Sequence, residues 1–499
     1  MDIEQFRKAG HQAIDRICDF NYSVEKMDVV SSVEPGYLRK ALPSEPPEQG
    51  EDFSKIADDY QQLIVPGLTQ WQHPSFFAYF PAACTFEGVL GDLYASSVTN
   101  PGFNWSSSPA CTELEAIMTD WAAKLLGLDK AFLNSNETGG GVVQTSASDS
   151  VLTATVAARS LYSKLHPDVS QDKLLFYTTS QTHSVGAKAA LILGIKVRSL
   201  EVNLSDNFGL RGETLRNALE EDIRAGLHPF IIVATIGTTS SGAIDHLNEI
   251  CVVAQEYSLW MHVDAAWAGV TLSCPENREI CHLSFVNRYV QSFCVNFHKW
   301  GLVNFDASIL WVRNREYLTD ALDVTPPFLR TAQSDAGTVI DYRNWHLGLG
   351  RRFRSLKFWF VLRSYGVEGF RQHIRKGIEL NKLFSSWVSS STLVELATSP
   401  SFGLTVLRMK APKHPTASQD FLTRKLFECL SARKDIMVTQ TVLQGIFCIR
   451  FAFGAERTEE RHIVAAFNLL CDEARKVNEE FKIRNAEHDK VITVKSLRN

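Results

Sequence analysis

Lys299 stands between two apolar runs, Ser292-Phe293-Cys294-Val295-Asn296-Phe297 before it and Ile309-Leu310-Trp311-Val312 after it. Both runs read as buried strands, which puts the lysine in the turn at a strand end, where open α/β sheets place ligand sites. An amine held in a partly apolar cleft loses solvation, its pKa falls, and it becomes nucleophilic enough to condense with a carbonyl. Three further features could serve the same chemistry. Asp264 closes the apolar run Trp260-Met261-His262-Val263, and His183 follows Leu174-Leu175-Phe176-Tyr177. The stretch from Gly139-Gly140-Gly141 to Ala147-Ser148 precedes the apolar helical segment Val151 to Ala158. Its N–H groups and hydroxyls therefore meet a helix N-terminus, a place that suits a dianionic phosphate. Taken singly, each has a plainer explanation: a helix-capping aspartate, a loop histidine, a flexible glycine turn.

Positioning these residues falls to a chain of 499 residues, long enough for two or three domains, whose 45% hydrophobic content can fill a large core. Residues 1–80 read as an N-terminal helical segment broken by a Pro- and Glu-rich connector, Val33 to Glu48. That segment has little core of its own and needs a surface to pack on. Over residues 81–370, helical stretches such as Glu113 to Leu128 alternate with short apolar runs, among them Phe230-Ile231-Ile232-Val233-Ala234. Alternation of this kind predicts an α/β domain with a mainly parallel central sheet. Residues 371–499 set the runs Gly403 to Leu407 and Ile446 to Phe451 among helical segments, which predicts a small C-terminal α/β domain.

A net charge of -5 without a basic block argues against nucleic acid as a partner. No apolar stretch reaches the length of a membrane span, and Met1 to Gly10 is polar and charged. Ten scattered cysteines without a CxxC pair suggest neither a disulfide framework nor a metal site, so a cytoplasmic location is expected.

The lysine segment resembles, position for position, the pyridoxal-phosphate attachment signature of the group II amino-acid decarboxylases. Ser292, Phe293, Lys299, Trp300, Gly301, Phe305, Ala307, Leu310 and Arg313 fill its slots without a gap. The resemblance implies a PLP-dependent transferase-like architecture (fold type I, aspartate aminotransferase-like) and pyridoxal 5'-phosphate as cofactor. That cofactor asks for a lysine at its aldehyde, a carboxylate at its pyridine nitrogen, a flat group over its ring and donors for its phosphate. By the resemblance these are Lys299, Asp264, His183 and the pair Ala147 and Ser148, with Thr239, Ala266, Asn296 and His298 as further cofactor contacts. An imidazole at position 183 can also shuttle protons near neutral pH.

Trp71 to Pro81, Gly102 to Trp105, Ser108 to Glu115 and Gly350 to Lys357 look like blocks of the aromatic L-amino-acid decarboxylases. On that likeness Trp71, Tyr79, Phe80, Pro81 and Phe103 line the substrate pocket, some from the partner subunit of a homodimer around which residues 1–80 wrap. Phe76 and Phe77 read instead as core. An aromatic pocket implies Phe, Tyr, Trp or Dopa as substrate rather than glutamate, and it counts against transamination. Gly350 falls where related plant enzymes carry glycine when they accept indoles and serine when they prefer phenols. Ala82 replaces a threonine frequent in the family, at little expected cost.

The polar loop Thr325 to Gly337 resembles the lid that closes over bound substrate, and it has Phe328 where the decarboxylases have tyrosine. A lid tyrosine can protonate Cα after CO2 leaves; phenylalanine has no O–H to give. Plant relatives with this change are aromatic aldehyde synthases, which implies capture by O2 and release of aldehyde, ammonia and hydrogen peroxide. An ordinary decarboxylase giving the amine stays open, with His183 as proton donor and Phe328 as an apolar loop anchor.

Overall fold

The structure, a computed structural model, describes the backbone of residues 1–410 and 419–496. Seven strands form the large sheet: β1 (Gly140–Gln144), β2 (Leu174–Thr179), β3 (Lys196–Leu200), β4 (His228–Thr235), β5 (Trp260–Asp264), β6 (Ser292–Asn296) and β7 (Ser308–Val312). Their order is β1-β7-β6-β5-β4-β2-β3. Only β7 runs against its neighbours; the other pairings are parallel. Every residue of β1, β2, β5, β6 and β7 is buried. Helices cover the faces of a parallel sheet, so its strands read as continuous apolar runs rather than alternating ones. Helix Ala147–Leu165 supplies one such cover, packing Val151 and Ala158 in the same core as Phe176, Trp260, Cys294 and Leu310.

The glycine run requires a correction. Gly140 and Gly141 belong to β1, not to a loop that cradles phosphate. A Cβ at Gly141 would lie 2.7 Å from Trp311 and 2.8 Å from Thr119, and one at Gly140 would lie 2.6 Å from Trp345. Close packing demands these glycines, and only Ala147 and Ser148, beyond the strand, begin the helix.

The chain gathers into two compact units. Residues 82–382 and 398–406 form one, with the large sheet; residues 1–81, 383–397 and 407–499 form the other. A second sheet of order β10-β11-β9-β8 comprises β8 (Val394–Leu396), β9 (Leu404–Met409), β10 (Thr439–Leu443) and β11 (Ile446–Ala452). Within the second unit the N-terminal segment finds partners in the C-terminal part. The Phe77 N–H donates to Met437 O at 2.9 Å, the Ala452 N–H donates to Phe77 O at 3.0 Å, and Glu25 pairs with Arg461 and His462. Phe76 and Phe77 are 3% and 1% exposed, as expected of core. Helix Ile3–Ser23, capped by Asp2 and Gln5, buries no residue in the single chain.

Candidate active site

Strands β6, β5, β4 and β2 are consecutive neighbours, and their carboxyl ends deliver the sequence-predicted groups to one cavity. Its walls include Ala147, Ser148, His183, Thr239, Asp264, Ala266, Asn296 and Lys299. Strand register explains the assembly. Thr235 pairs with Asp264, and Asp264 with Cys294, so the ends of three apolar strands bring polar groups to one level.

Asp264 is the last residue of β5 and is 4% exposed; it caps no helix. Its Oδ1 accepts the Ala266 N–H at 3.0 Å. Lys299 sits in the turn after β6, where its N–H donates to Asn296 O at 3.1 Å. His183 accepts the Val185 N–H on Nδ1 at 3.3 Å. Burial holds the His183 pKa below its ordinary value, with Asp264 pulling it up and Lys299 pushing it down. At pH 7 the ring is therefore neutral, and its one proton is assigned to Nε2.

Two polar atoms in these walls are buried without a partner, Thr235 Oγ1 and Asn296 Oδ1. Buried polar atoms are nearly always satisfied, so such orphans point to a ligand. A carboxylate, a lysine and these two acceptors surround one space beside the start of helix Ala147–Leu165, whose first N–H groups lack helical acceptors. The set fits a flat ring carrying an aldehyde, a basic nitrogen and a phosphate. Residues 35–410 match the pyridoxal-dependent decarboxylase conserved domain.

The chain belongs to the pyridoxal-dependent decarboxylase family. It is 43% identical over 480 residues to "Tryptophan decarboxylase 2" of Oryza sativa subsp. japonica, covering 96% of each chain. To "Phenylacetaldehyde synthase" of Arabidopsis thaliana it is 41% identical over 477 residues, with 95% of this chain and 96% of that one covered. The crystal structure of Oryza sativa TDC with PLP and tryptamine superposes with a TM-score of 0.92 at 36% identity, covering 95% of this chain and 99% of that one. The protein is thus a pyridoxal-phosphate-dependent decarboxylase-family enzyme of the expected fold class.

Not every expected residue lines the decarboxylase cavity. His298 is not among the cavity's walls: its N–H and its Nδ1 both engage Ala307, at 3.1 and 2.9 Å, and its ring lies 4.8 Å from Phe305. Burial drives its pKa down to about 3, helped by the Lys299 charge. Gly350 lines a separate surface cavity with Asp92, Ser96, Asn100 and Arg352, and a Cβ there would meet nothing within 4 Å. Phe103 is half-buried, and its carbonyl accepts the Arg343 N–H at 3.0 Å. In the other unit Trp71 stacks on Tyr79, with centroids 5.4 Å apart, and the Arg450 guanidinium covers the Phe80 ring at 5.0 Å; Pro81 is buried.

Phe328 occupies the short turn Pro327–Leu329 and is 81% exposed, whereas Leu329 is buried. Leu329, not Phe328, therefore anchors the loop Thr325 to Gly337. Sequence reasoning missed Thr235, Ser146, Gly237 and Trp267 as cavity walls. Thr235 was findable by the rule that found Asp264, a polar residue closing an apolar run.

Proposed function

We propose that this enzyme decarboxylates aromatic L-amino acids of the Phe, Tyr, Trp or Dopa type and diverts much of the product to the aromatic aldehyde. The observation that carries the aldehyde reading is Phe328, exposed at the tip of the lid loop with no proton to give. The similarity to a phenylacetaldehyde synthase supports it. Bound pyridoxal phosphate supplies an aldehyde for the substrate amine and a protonated ring that takes up the electrons of the breaking Cα–carboxylate bond.

Lys299, in the cavity wall at the turn after β6, would hold the cofactor by its aldehyde. Asp264 keeps the pyridine nitrogen protonated, since an anion at 4% exposure strongly favours a cation beside it. Asn296, Thr239, Thr235, Ala147 and Ser148 orient the cofactor, with Ala266 aligning Asp264 through its N–H. His183 covers the ring and holds a proton on Nε2. Phe103 supplies aromatic substrate surface, whereas Trp71, Tyr79, Phe80 and Pro81 belong to the other unit and Gly350 lines a cavity of its own. With Phe328 unable to protonate Cα, O2 takes the electrons instead. Amino acid, O2 and water then yield aldehyde, CO2, ammonia and H2O2. The ordinary decarboxylase, giving the amine with His183 as proton donor, is the second reading, favoured by the proton on His183 Nε2.

The homodimer reading is supported by exposed apolar faces in each unit: Ile14, Ile17, Phe53, Ile56 and Tyr60 in one, and Phe86, Leu90, Leu93 and Tyr94 in the other. Light scattering should give about twice 55.9 kDa for the active species; an active monomer would contradict this. No helix among the described residues is long and apolar enough to cross a membrane. All ten cysteines are free thiols, which favours a reducing cytoplasm. The function itself is tested by giving purified enzyme Phe, Tyr, Trp and Dopa and quantifying amine and aldehyde. Aldehyde should rival amine for at least one of them, and turnover of glutamate but none of the four would sink the proposal.

A further inference from the structure

One face of β5 and β6 alternates polar side chains beneath an apolar cover. Trp260, His262 and Asp264 share it on β5, and Ser292, Cys294 and Asn296 on β6. Ser292 and Cys294 are fully buried, as is His262, and Trp260 is 4% exposed. Their contacts form an unbroken file. Ser292 Oγ lies 2.8 Å from Trp260 Nε1 and 2.8 Å from His262 Nδ1; Cys294 Sγ lies 3.5 Å from His262 Nε2 and 3.8 Å from Asp264 Oδ1.

The direction of every bond in the file follows from its last member, where the Cys294 S–H donates to Asp264 Oδ1. Indole N–H can only donate, so Ser292 Oγ accepts from Trp260 and its own O–H is free to donate to His262 Nδ1. Burial drives the His262 pKa down to about 4, so the ring is neutral, and because the Cys294 S–H is committed to Asp264 the single proton of the ring sits on Nε2 and leaves Nδ1 to accept. Nε2–H then points at Cys294 Sγ, a weak acceptor. Burial, and then the Asp264 charge, raises the Cys294 pKa well above its ordinary value, so the S–H is retained. Both described bonds to the carboxylate end on Oδ1, which leaves Oδ2 for the cavity.

We propose that Trp260, Ser292, His262 and Cys294 form a one-way hydrogen-bond relay that orients the Asp264 carboxylate, with Oδ1 held by the relay and Oδ2 presented to the cofactor's pyridine nitrogen. The four are positioning residues, and the inference rests on the role given to Asp264 above. Its first test is the infrared S–H stretch of Cys294 in the holoenzyme, isolated by subtracting the Cys294→Ala spectrum. The band should lie below that of an unbonded thiol and move up in Asp264→Asn. Its second is cofactor loss from diluted holoenzyme, which should be about threefold faster in Cys294→Ala, restored by Cys294→Ser, whose hydroxyl also donates. In an Asp264→Asn background, Cys294→Ala should add nothing. A Cys294 band at the unbonded frequency, or equal cofactor loss in wild type and Cys294→Ala, would overturn the relay. Asp264→Asn indistinguishable from wild type in both rate and cofactor loss would instead remove Asp264 from its role.

Discussion

In the cavity, Asp264 and Asn296 are each 4% exposed and close strands whose neighbours fix their register. The loop Thr325 to Gly337 of the same unit offers the contrast. It presents Phe328 at 81% exposure and is tied through Leu329 and two side-chain bonds, Arg343 to Thr325 at 3.2 Å and Ser334 to Asp341 at 2.8 Å. A group on a packed sheet is held to a fraction of an ångström, whereas an exposed loop tip accepts substitution at little cost to the fold. On the proposed function the two regions have separate tasks: the strand ends hold the cofactor, and the loop governs what happens to Cα afterwards. Substitutions in the cavity should therefore cost rate, and substitutions at the loop tip should change product.

The largest expected effect is at Lys299. Lys299→Ala should abolish turnover together with the visible absorbance of the bound cofactor, both read in one spectrophotometric assay; a mutant that kept both would break the comparison at its root. Asp264→Asn comes next, since a neutral partner no longer favours the protonated ring. Its barrier should rise by on the order of 3 kcal/mol, over a hundredfold in rate. Near-native turnover in this variant would show that the buried carboxylate is only structural.

A smaller effect concerns protons under the sheet. His262 and His298 are neutral in the fold, with pKa values lowered from 6.5 to about 4 and about 3, so as pH falls below 6.5 the unfolded chain comes to bind two protons more, a difference nearly complete at about pH 5. Buried Asp245 works the other way: its pKa is raised to about 6, so below that pH the fold binds one more than the unfolded chain does. More protons on the unfolded chain means stability that falls as pH falls. The net of one proton gives these groups a loss of about 1.4 kcal/mol per pH unit around pH 5. Asp245→Asn should steepen that slope, as followed by urea midpoints at several pH values. An unchanged slope would mean that Asp245 is ionised in the fold at pH 5.

Much of this division was legible in the residues. Continuous apolar runs marked β2, β4, β5, β6 and β7, and the polar residues just after them marked the cavity, because a strand buried on both faces leaves few other places for Lys299, Asp264 or His183. β1 was read as a glycine loop because its glycines answer to Trp311, Thr119 and Trp345, partners far away in sequence. β3 (Lys196–Leu200) escaped notice because it is an edge strand with exposed Lys196 and Val197 and shows no apolar run. The bond from the Ala307 N–H to the His298 ring was equally hidden, since no motif marks that backbone contact. The relay under Asp264 was visible only as an alternation, Trp-x-His-x-Asp against Ser-x-Cys-x-Asn, whose meaning depends on β5 and β6 being neighbours in register.

The most direct measurement is the ratio of H2O2 to CO2 released from an aromatic L-amino acid, by wild type and by Phe328→Tyr, in air-saturated buffer. The expected wild-type result is peroxide in substantial proportion to CO2, with matching O2 uptake and aldehyde. In Phe328→Tyr, CO2 release should stay within about threefold of wild type while peroxide falls and amine rises, because the phenol restores a proton donor at the lid. Wild type that releases CO2 and amine without consuming O2 would contradict the assignment of product choice to Phe328, and the plain decarboxylase would stand.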